Sequence, residues 1–148
     1  MSLEEHRAAL TPLISVFRNQ EIYAYGILDD ENRWSVAADL EDGHIDVRIG
    51  ADGYDLDVWA TLTGMYADEE QERRRFALER LARISIPGLQ RGFSSEGNVL
   101  DWDDAEHGIR LRQSAVVPFS AAHRLPEIAL SQLANLQNAL LVIERQLR

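Results

Sequence analysis

Apolar positions recur along this chain at two periods, and the change from one to the other outlines the fold. Ser2 and Glu5 match the S-x-x-E capping box, so a helix is expected to start at the N-terminus. Leu10, Leu13, Ile14 and Phe17 continue it with the i, i+3, i+4, i+7 stripe of an amphipathic helix. Pro12 interrupts that stripe, so the helix either kinks there or is a shorter one capped by Thr11. From Ile22 the period becomes two. Tyr23, Tyr25 and Ile27 alternate with smaller residues, and Asp29 to Asn32 reads as a turn. Trp34, Val36, Ala38 and Leu40 alternate with Ser35, Ala37 and Asp39, and Asp42-Gly43 marks a hairpin. Ile45, Val47 and Ile49 alternate with His44, Asp46 and Arg48, and Asp52-Gly53 supplies another turn. Tyr54, Leu56, Val58, Ala60 and Leu62 then alternate with Asp55, Asp57, Trp59, Thr61 and Thr63. Such runs are consecutive antiparallel strands with one face buried and one wet.

The helical period returns at Asp68, Glu69 and Glu70, acids that suit a first turn, with Phe76, Ala77, Leu81 and Ile84 as the apolar face and Pro87-Gly88 as the end. After a loop, Val99 to Asp103 and Ile109 to Val117 form a second hairpin, with its turn at Ala105 to Gly108. The last helix runs from Pro126 to Leu147. Its Leu133, Leu136, Leu140, Ile143 and Leu147 form a heptad-like seam, and Leu130, Ala134 and Leu141 trace a second apolar line beside it. A helix apolar on two faces has two partners, here the chain's own sheet and a second copy. The heptad seam is expected to face the second copy, making the protein a homodimer. Substituting Leu136 and Leu140 by aspartate distinguishes the cases: folded monomer for a seam at an interface, insoluble protein for a seam in the core.

The order helix, strands, helix, hairpin, helix is that of a single α+β domain over residues 1–148. A length of 148 residues suffices for a core without staples, and a hydrophobic fraction of 45 % argues against disorder. The absence of cysteine excludes thiolate catalysis and disulfides and is compatible with a reducing cytoplasm. No basic region leads an apolar run at the N-terminus, and no stretch approaches the roughly 20 apolar residues of a membrane span. A cytoplasmic protein without membrane partners is expected.

The formal charge is −10, and all the basic side chains other than histidine are arginine. Net negative charge repels phosphates and favours basic protein partners. Only one stretch runs against it. Arg73, Arg74, Arg75, Arg80, Arg83 and Arg91 form a basic cluster on the expected middle helix. It can serve a direct nucleic-acid-binding regulator, with Arg73, Arg74 and Arg75 as contacts. Against this, Glu69–Arg73, Glu70–Arg74, Arg75–Glu79 and Glu79–Arg83 are i, i+4 pairs, the lacing of an exposed helix.

Catalytic chemistry finds little support. Asp101, Asp103, Asp104, Glu106 and His107 crowd one turn, but Ala105 stands where a calcium loop needs a ligand. His6, His44, His107 and His123 lie in four elements and form no close helical pair. There is no nucleophile elbow, P-loop or dinucleotide fingerprint. No cofactor, metal or enzymatic activity is expected. Trp59 is more informative. It shares a wet strand face with Asp55, Asp57 and Thr61, where a tryptophan is either covered by another element or anchors a client.

The segment Gly92-Phe93-Ser94-Ser95-Glu96-Gly97-Asn98-Val99-Leu100-Asp101-Trp102, followed by Gly108-Ile109-Arg110-Leu111-Arg112, resembles the polar loop, short strand, acidic turn and basic-apolar strand of the YbjN-type bacterial sensory transduction regulators. The order of elements is similar to that of these proteins and of the related type III secretion chaperones. The resemblance implies a homodimeric, non-enzymatic fold that binds a protein client and carries no catalytic residues. With the acidic charge, it gives the expectation of a basic client, such as a nucleic-acid-binding protein, held at Trp59, Asp55, Asp57 and Thr61.

Overall fold

The computed structural model describes residues 2–29, 31–41, 43–62, 99–103 and 108–146. Helix α1 spans Leu3–Arg18. Strands β1 (Tyr25–Leu28), β2 (Trp34–Leu40), β3 (Gly43–Ile49) and β4 (Tyr54–Leu62) follow it. Further along come β5 (Val99–Asp103), β6 (Gly108–Val117), a 3-10 helix at Phe119–Arg124 and helix α2 (Leu125–Gln146). The strands make one antiparallel sheet in the order β1-β2-β3-β4-β6-β5. The later hairpin is therefore not a separate unit: β6 pairs with β4 over its length, from Tyr54↔Val117 to Leu62↔Ile109, and β5 forms the edge. The expected middle helix, with Arg73, Arg74 and Arg75, lies outside the described residues.

Each element starts and stops for local reasons. The Ser2 hydroxyl accepts from the Glu5 backbone N–H, which is the N-cap half of the expected capping box, and donates to the Glu5 carboxylate. Pro12 does not end α1, which runs through it. The Thr11 hydroxyl bonds the Arg7 carbonyl one turn back, at 2.6 Å. The β1–β2 turn is built on Asp29, whose carboxylate accepts from the backbone N–H groups of Glu31 and Arg33, with Asn32 at φ 57°. Leu40 pairs directly with Gly43, so β2 and β3 are joined by a two-residue turn. At the next turn a Cβ on Gly53 would lie 2.4 Å from the Val117 carbonyl oxygen, so only glycine lets β6 approach here.

Both helices pack on one face of the sheet, α1 on β1 and β2, α2 on β4 and β6. Leu10, Leu13 and Phe17 of α1, with Leu125, Ala129, Leu133, Leu136 and Leu140 of α2, close over Val36, Ala38, Ile45, Val47, Leu56, Val58, Ala60, Leu111 and Val117. This corrects the expected dimer seam. Leu133, Leu136 and Leu140 are only 5 %, 0 % and 1 % exposed, because the sheet of the same chain needs an apolar cover over β4 and β6. The exposed line on α2 is the other one, Leu130, Ala134 and Leu141, with Val142 beside it. The side chains of Ile143 and Leu147 lie outside those described. Just before β1, Ile22 and Ala24 are buried whereas Tyr23 is exposed, and within β1 both Ile27 and Leu28 are exposed. Among the described residues, no helix is long and apolar enough to cross a membrane.

Candidate functional site

Strand alternation places a polar and aromatic array on the sheet face opposite the helices. It takes Tyr25 from β1, Asp39 from β2, and His44, Asp46 and Arg48 from β3. Asp55, Asp57, Trp59 and Thr61 of β4 and Arg110, Arg112 and Ser114 of β6 complete it. Register orders these side chains into rows. One row runs Asp39, His44, Trp59, Arg112; the next runs Ala37, Asp46, Asp57, Ser114; a third pairs Arg48 with Asp55. The four residues expected at a client site therefore do lie together, in a line along β4.

Trp59 is half-buried and held from two sides. The His44 ring stacks on it with centroids 4.1 Å apart and planes inclined by 23°. The Arg110 guanidinium lies 5.8 Å from its ring centre. His44 is fixed in turn by Asp39, whose carboxylate oxygen is 2.6 Å from Nδ1. The other Asp39 oxygen accepts from the Tyr25 hydroxyl at 2.6 Å. The Tyr25 hydrogen bond and the His44 contact hold the Asp39 carboxyl below the usual carboxylate range. Reciprocally, the bond to Asp39, aided by burial and by the charges of Asp39 and Asp46, pushes the Tyr25 phenol up to about 12. At neutral pH the Asp39 carboxyl is therefore ionised and the Tyr25 phenol neutral.

Below that row, Asp46 and Asp57 stand directly opposite each other. Asp46 is 7 % exposed, and burial raises its pKa despite the nearby charges of Arg48 and His44. Arg48 bridges two carboxylates, 3.3 Å from Asp46 and 3.2 Å from Asp29. Burial would raise the Asp29 pKa, but backbone N–H bonds from Arg33 and Glu31 and the charges of Arg48 and Arg33 outweigh it, leaving the group below its usual value. The Ser114 hydroxyl donates to Asp57. No group of three metal-ligating side chains assembles among the described residues.

The array thus presents an immobilised indole, a row of carboxylates on β3 and β4, and arginines on the neighbouring strand. Its chemistry is suited to gripping a side chain or a peptide, since a rigid aromatic anchors at low entropic cost and charged neighbours set orientation. The individual residues were legible in the sequence, but the Tyr25–Asp39–His44 chain was not. The signal was the hairpin: a two-residue turn after Leu40 forces Asp39 opposite His44, and the next register brings His44 beside Trp59.

In comparisons with known proteins, no family model, curated protein or solved structure matches the chain.

Proposed function

We propose that this chain is a non-enzymatic protein-binding module, chaperone-like or regulatory, that acts as a cytoplasmic homodimer. Its client is a basic protein, such as one that binds nucleic acid, held on the sheet face opposite the helices. The observation that carries this reading is Trp59: a half-buried indole, immobilised by His44 and lined up with Asp55, Asp57 and Thr61. A salt bridge from the partly exposed Arg48 holds Asp46, and short hydrogen bonds from Tyr25 and His44 hold Asp39, so a cationic segment meets charges that need little ordering. The likeness in element order to the YbjN-type regulators and type III secretion chaperones points the same way. For the homodimer, the exposed Leu130, Leu141 and Val142 of α2 take the place of the buried seam.

The test uses the protein as bait in cell extract at low and high salt, beside Trp59→Ala and the double variant Asp55→Asn with Asp57→Asn. Basic clients retained by the natural chain, lost with Trp59→Ala and weakened by salt or by the double variant support the reading. Clients that are acidic and indifferent to salt remove its electrostatic part, and equal recovery with Trp59→Ala removes the site. Sedimentation of Leu130→Asp with Leu141→Asp addresses the dimer separately: conversion to folded monomer supports it, and an unchanged mass for both proteins at one chain overturns it.

A further inference from the structure

Among the described residues β1 ends the sheet, with β2 on one side only. End strands are ordinarily guarded by a charge, a proline or a bulge, because their unpaired N–H and C=O groups invite another strand. The opposite end strand, β5, carries Asp101 and Asp103. β1 reads Tyr-Gly-Ile-Leu, with no charge and no proline, and its Ile27 and Leu28 are 41 % and 44 % exposed.

Register fixes which backbone groups of β1 are open. The Asp29 N–H bonds the Arg33 carbonyl at 2.8 Å, in line with the pairs Ile27↔Ser35 and Tyr25↔Ala37. Bonded pairs alternate along an antiparallel ladder. Tyr25 and Ile27 therefore direct their N–H and C=O groups to β2, while Gly26 and Leu28 turn theirs outward. Ala24 has the same phase, but its carbonyl already accepts from the Arg18 guanidinium at 3.2 Å. The open ladder comes down to Gly26 and Leu28.

We propose that β1 pairs antiparallel with β1 of a second copy of this chain, with Gly26 opposite Leu28 and Ile27 on the twofold axis. In this register both open residues of each copy find partners, and two N–H···O=C bonds form on either side of the axis. Centring on Gly26 instead would call on the Ala24 carbonyl that Arg18 holds, and centring on Leu28 would run into the β1–β2 turn.

A second copy fits this edge better than the basic client sought at Trp59, since an uncharged strand offers a cationic segment nothing. Antiparallel pairing brings the Tyr23 end of one copy alongside the Asp29–Arg33 turn of the other. The first carries the Arg18 guanidinium, 5.1 Å from the Tyr23 ring centre; the second holds three acids and one arginine. Apolar side chains meet as well. Ile27 faces Ile27 across the axis, and Leu28 lies beside Gly26 of the second copy, where no side chain stands in the way. The helices leave room: α1 lies mainly over β2, and the two β2 strands would be three strand spacings apart, about 14 Å, against roughly 8–10 Å between packed helices. The contact involves neither α2 nor the Trp59 face, so it stands or falls apart from both.

Ile27→Cys tests the register in the full chain, which has no cysteine of its own. Residues facing each other in a non-bonded antiparallel pair have Cα atoms about 4.5 Å apart, within the range of a disulfide. Mild oxidation at micromolar protein should convert most of Ile27→Cys to covalent dimer, while Val116→Cys, at a 59 % exposed position on β6, stays largely single-chain. Amide hydrogen exchange followed by NMR reads the ladder itself. Gly26 and Leu28 should be protected in the natural chain. Dilution, or Ile27→Lys, which sets two like charges face to face, should speed their exchange about tenfold or more. Mixing Ile27→Lys with Ile27→Glu should restore the protection. The proposal is overturned if Ile27→Cys cross-links no better than Val116→Cys, or if Gly26 and Leu28 exchange as fast in the concentrated natural chain as in Ile27→Lys. Neither readout depends on pairing through Leu130 and Leu141 or on capture of a client.

Discussion

His44 and Trp59 stack across the β3–β4 register with ring centroids 4.1 Å apart, and the imidazole that does so is tethered at its other side to Asp39. The indole is thus positioned through a chain that starts on the edge strand, Tyr25 to Asp39 to His44 to Trp59. A tryptophan so held loses little freedom when a partner arrives, which is the condition for an efficient anchor. The same chain makes the anchor sensitive to residues a strand or two away.

The stack should be measurable as a coupling. Aromatic pairs contribute about 0.5–1.5 kcal/mol beyond the area they bury. Denaturant titration of His44→Ala, Trp59→Ala and the double variant is therefore expected to give an interaction energy in that range. Additive losses would mean that the two rings touch without stabilising one another.

The Tyr25–Asp39 bond sets a pH dependence at the alkaline end. Tyr25 ionises in the folded protein at about 12, against about 10 in an unfolded chain. A raised pKa of this kind contributes stability that is complete below about pH 10 and is lost as pH rises toward the folded value. For Asp39, held low by Tyr25 and His44, the sign is opposite: its contribution is present above the unfolded value and lost as pH falls through the folded one. Asp39→Asn should bring the Tyr25 titration down toward its ordinary value, and Tyr25→Phe should raise that of Asp39. NMR pH titration of the two side chains checks both shifts.

Much of this architecture could be read from periodicity, and the parts that could not share a cause. Period two located β2, β3, β4 and β6 because one of their faces is buried under helices and alternation is the direct imprint of that burial. It could not rank Tyr23 and Ile27 against Ile22 and Ala24, since a short edge strand carries large apolar residues on either face. Nor could spacing along α2 say which of two apolar lines meets the sheet. That choice is made by β6 pairing with β4, a long-range contact with no local sequence signature. The line Asp55, Asp57, Trp59 and Thr61 along β4 was legible because it lies on one strand, whereas His44, Asp39 and Tyr25 join it only through register.

Asp46 offers a stabilising substitution. It is buried, its charge is disfavoured by that burial, and it faces Asp57 across the sheet. A carboxyl whose folded pKa is raised favours the folded state when protonated and opposes it once ionised. Asp46→Asn keeps the shape and removes the charge, so it should stabilise the protein near neutral pH by about 1 kcal/mol or less, the scale of a like-charge cross-strand pair. The gain should shrink in acid as the natural carboxyl protonates. A loss at neutral pH would show that the contact of Asp46 with Arg48 outweighs both its burial and its repulsion from Asp57.

Two glycines separate required absence of a side chain from permitted absence. At Gly53 an added methyl would sit 2.4 Å from the Val117 carbonyl oxygen and 3.0 Å from its carbon, both backbone atoms in a paired strand. Gly53→Ala must therefore push β6 away from the β3–β4 turn, at a cost of about 1–3 kcal/mol by analogy with overpacked cores. At Gly26 the same methyl meets only side-chain carbons at 3.7 and 3.9 Å. Gly26→Ala should be neutral or stabilising by about 0.4–1 kcal/mol, because it restricts the unfolded chain without straining the folded one. Thermal denaturation of the two variants beside the natural chain reads the contrast directly. Equal effects would mean that β6 yields at Val117 or that Trp34 and Ile14 crowd Gly26 more tightly than their spacing implies.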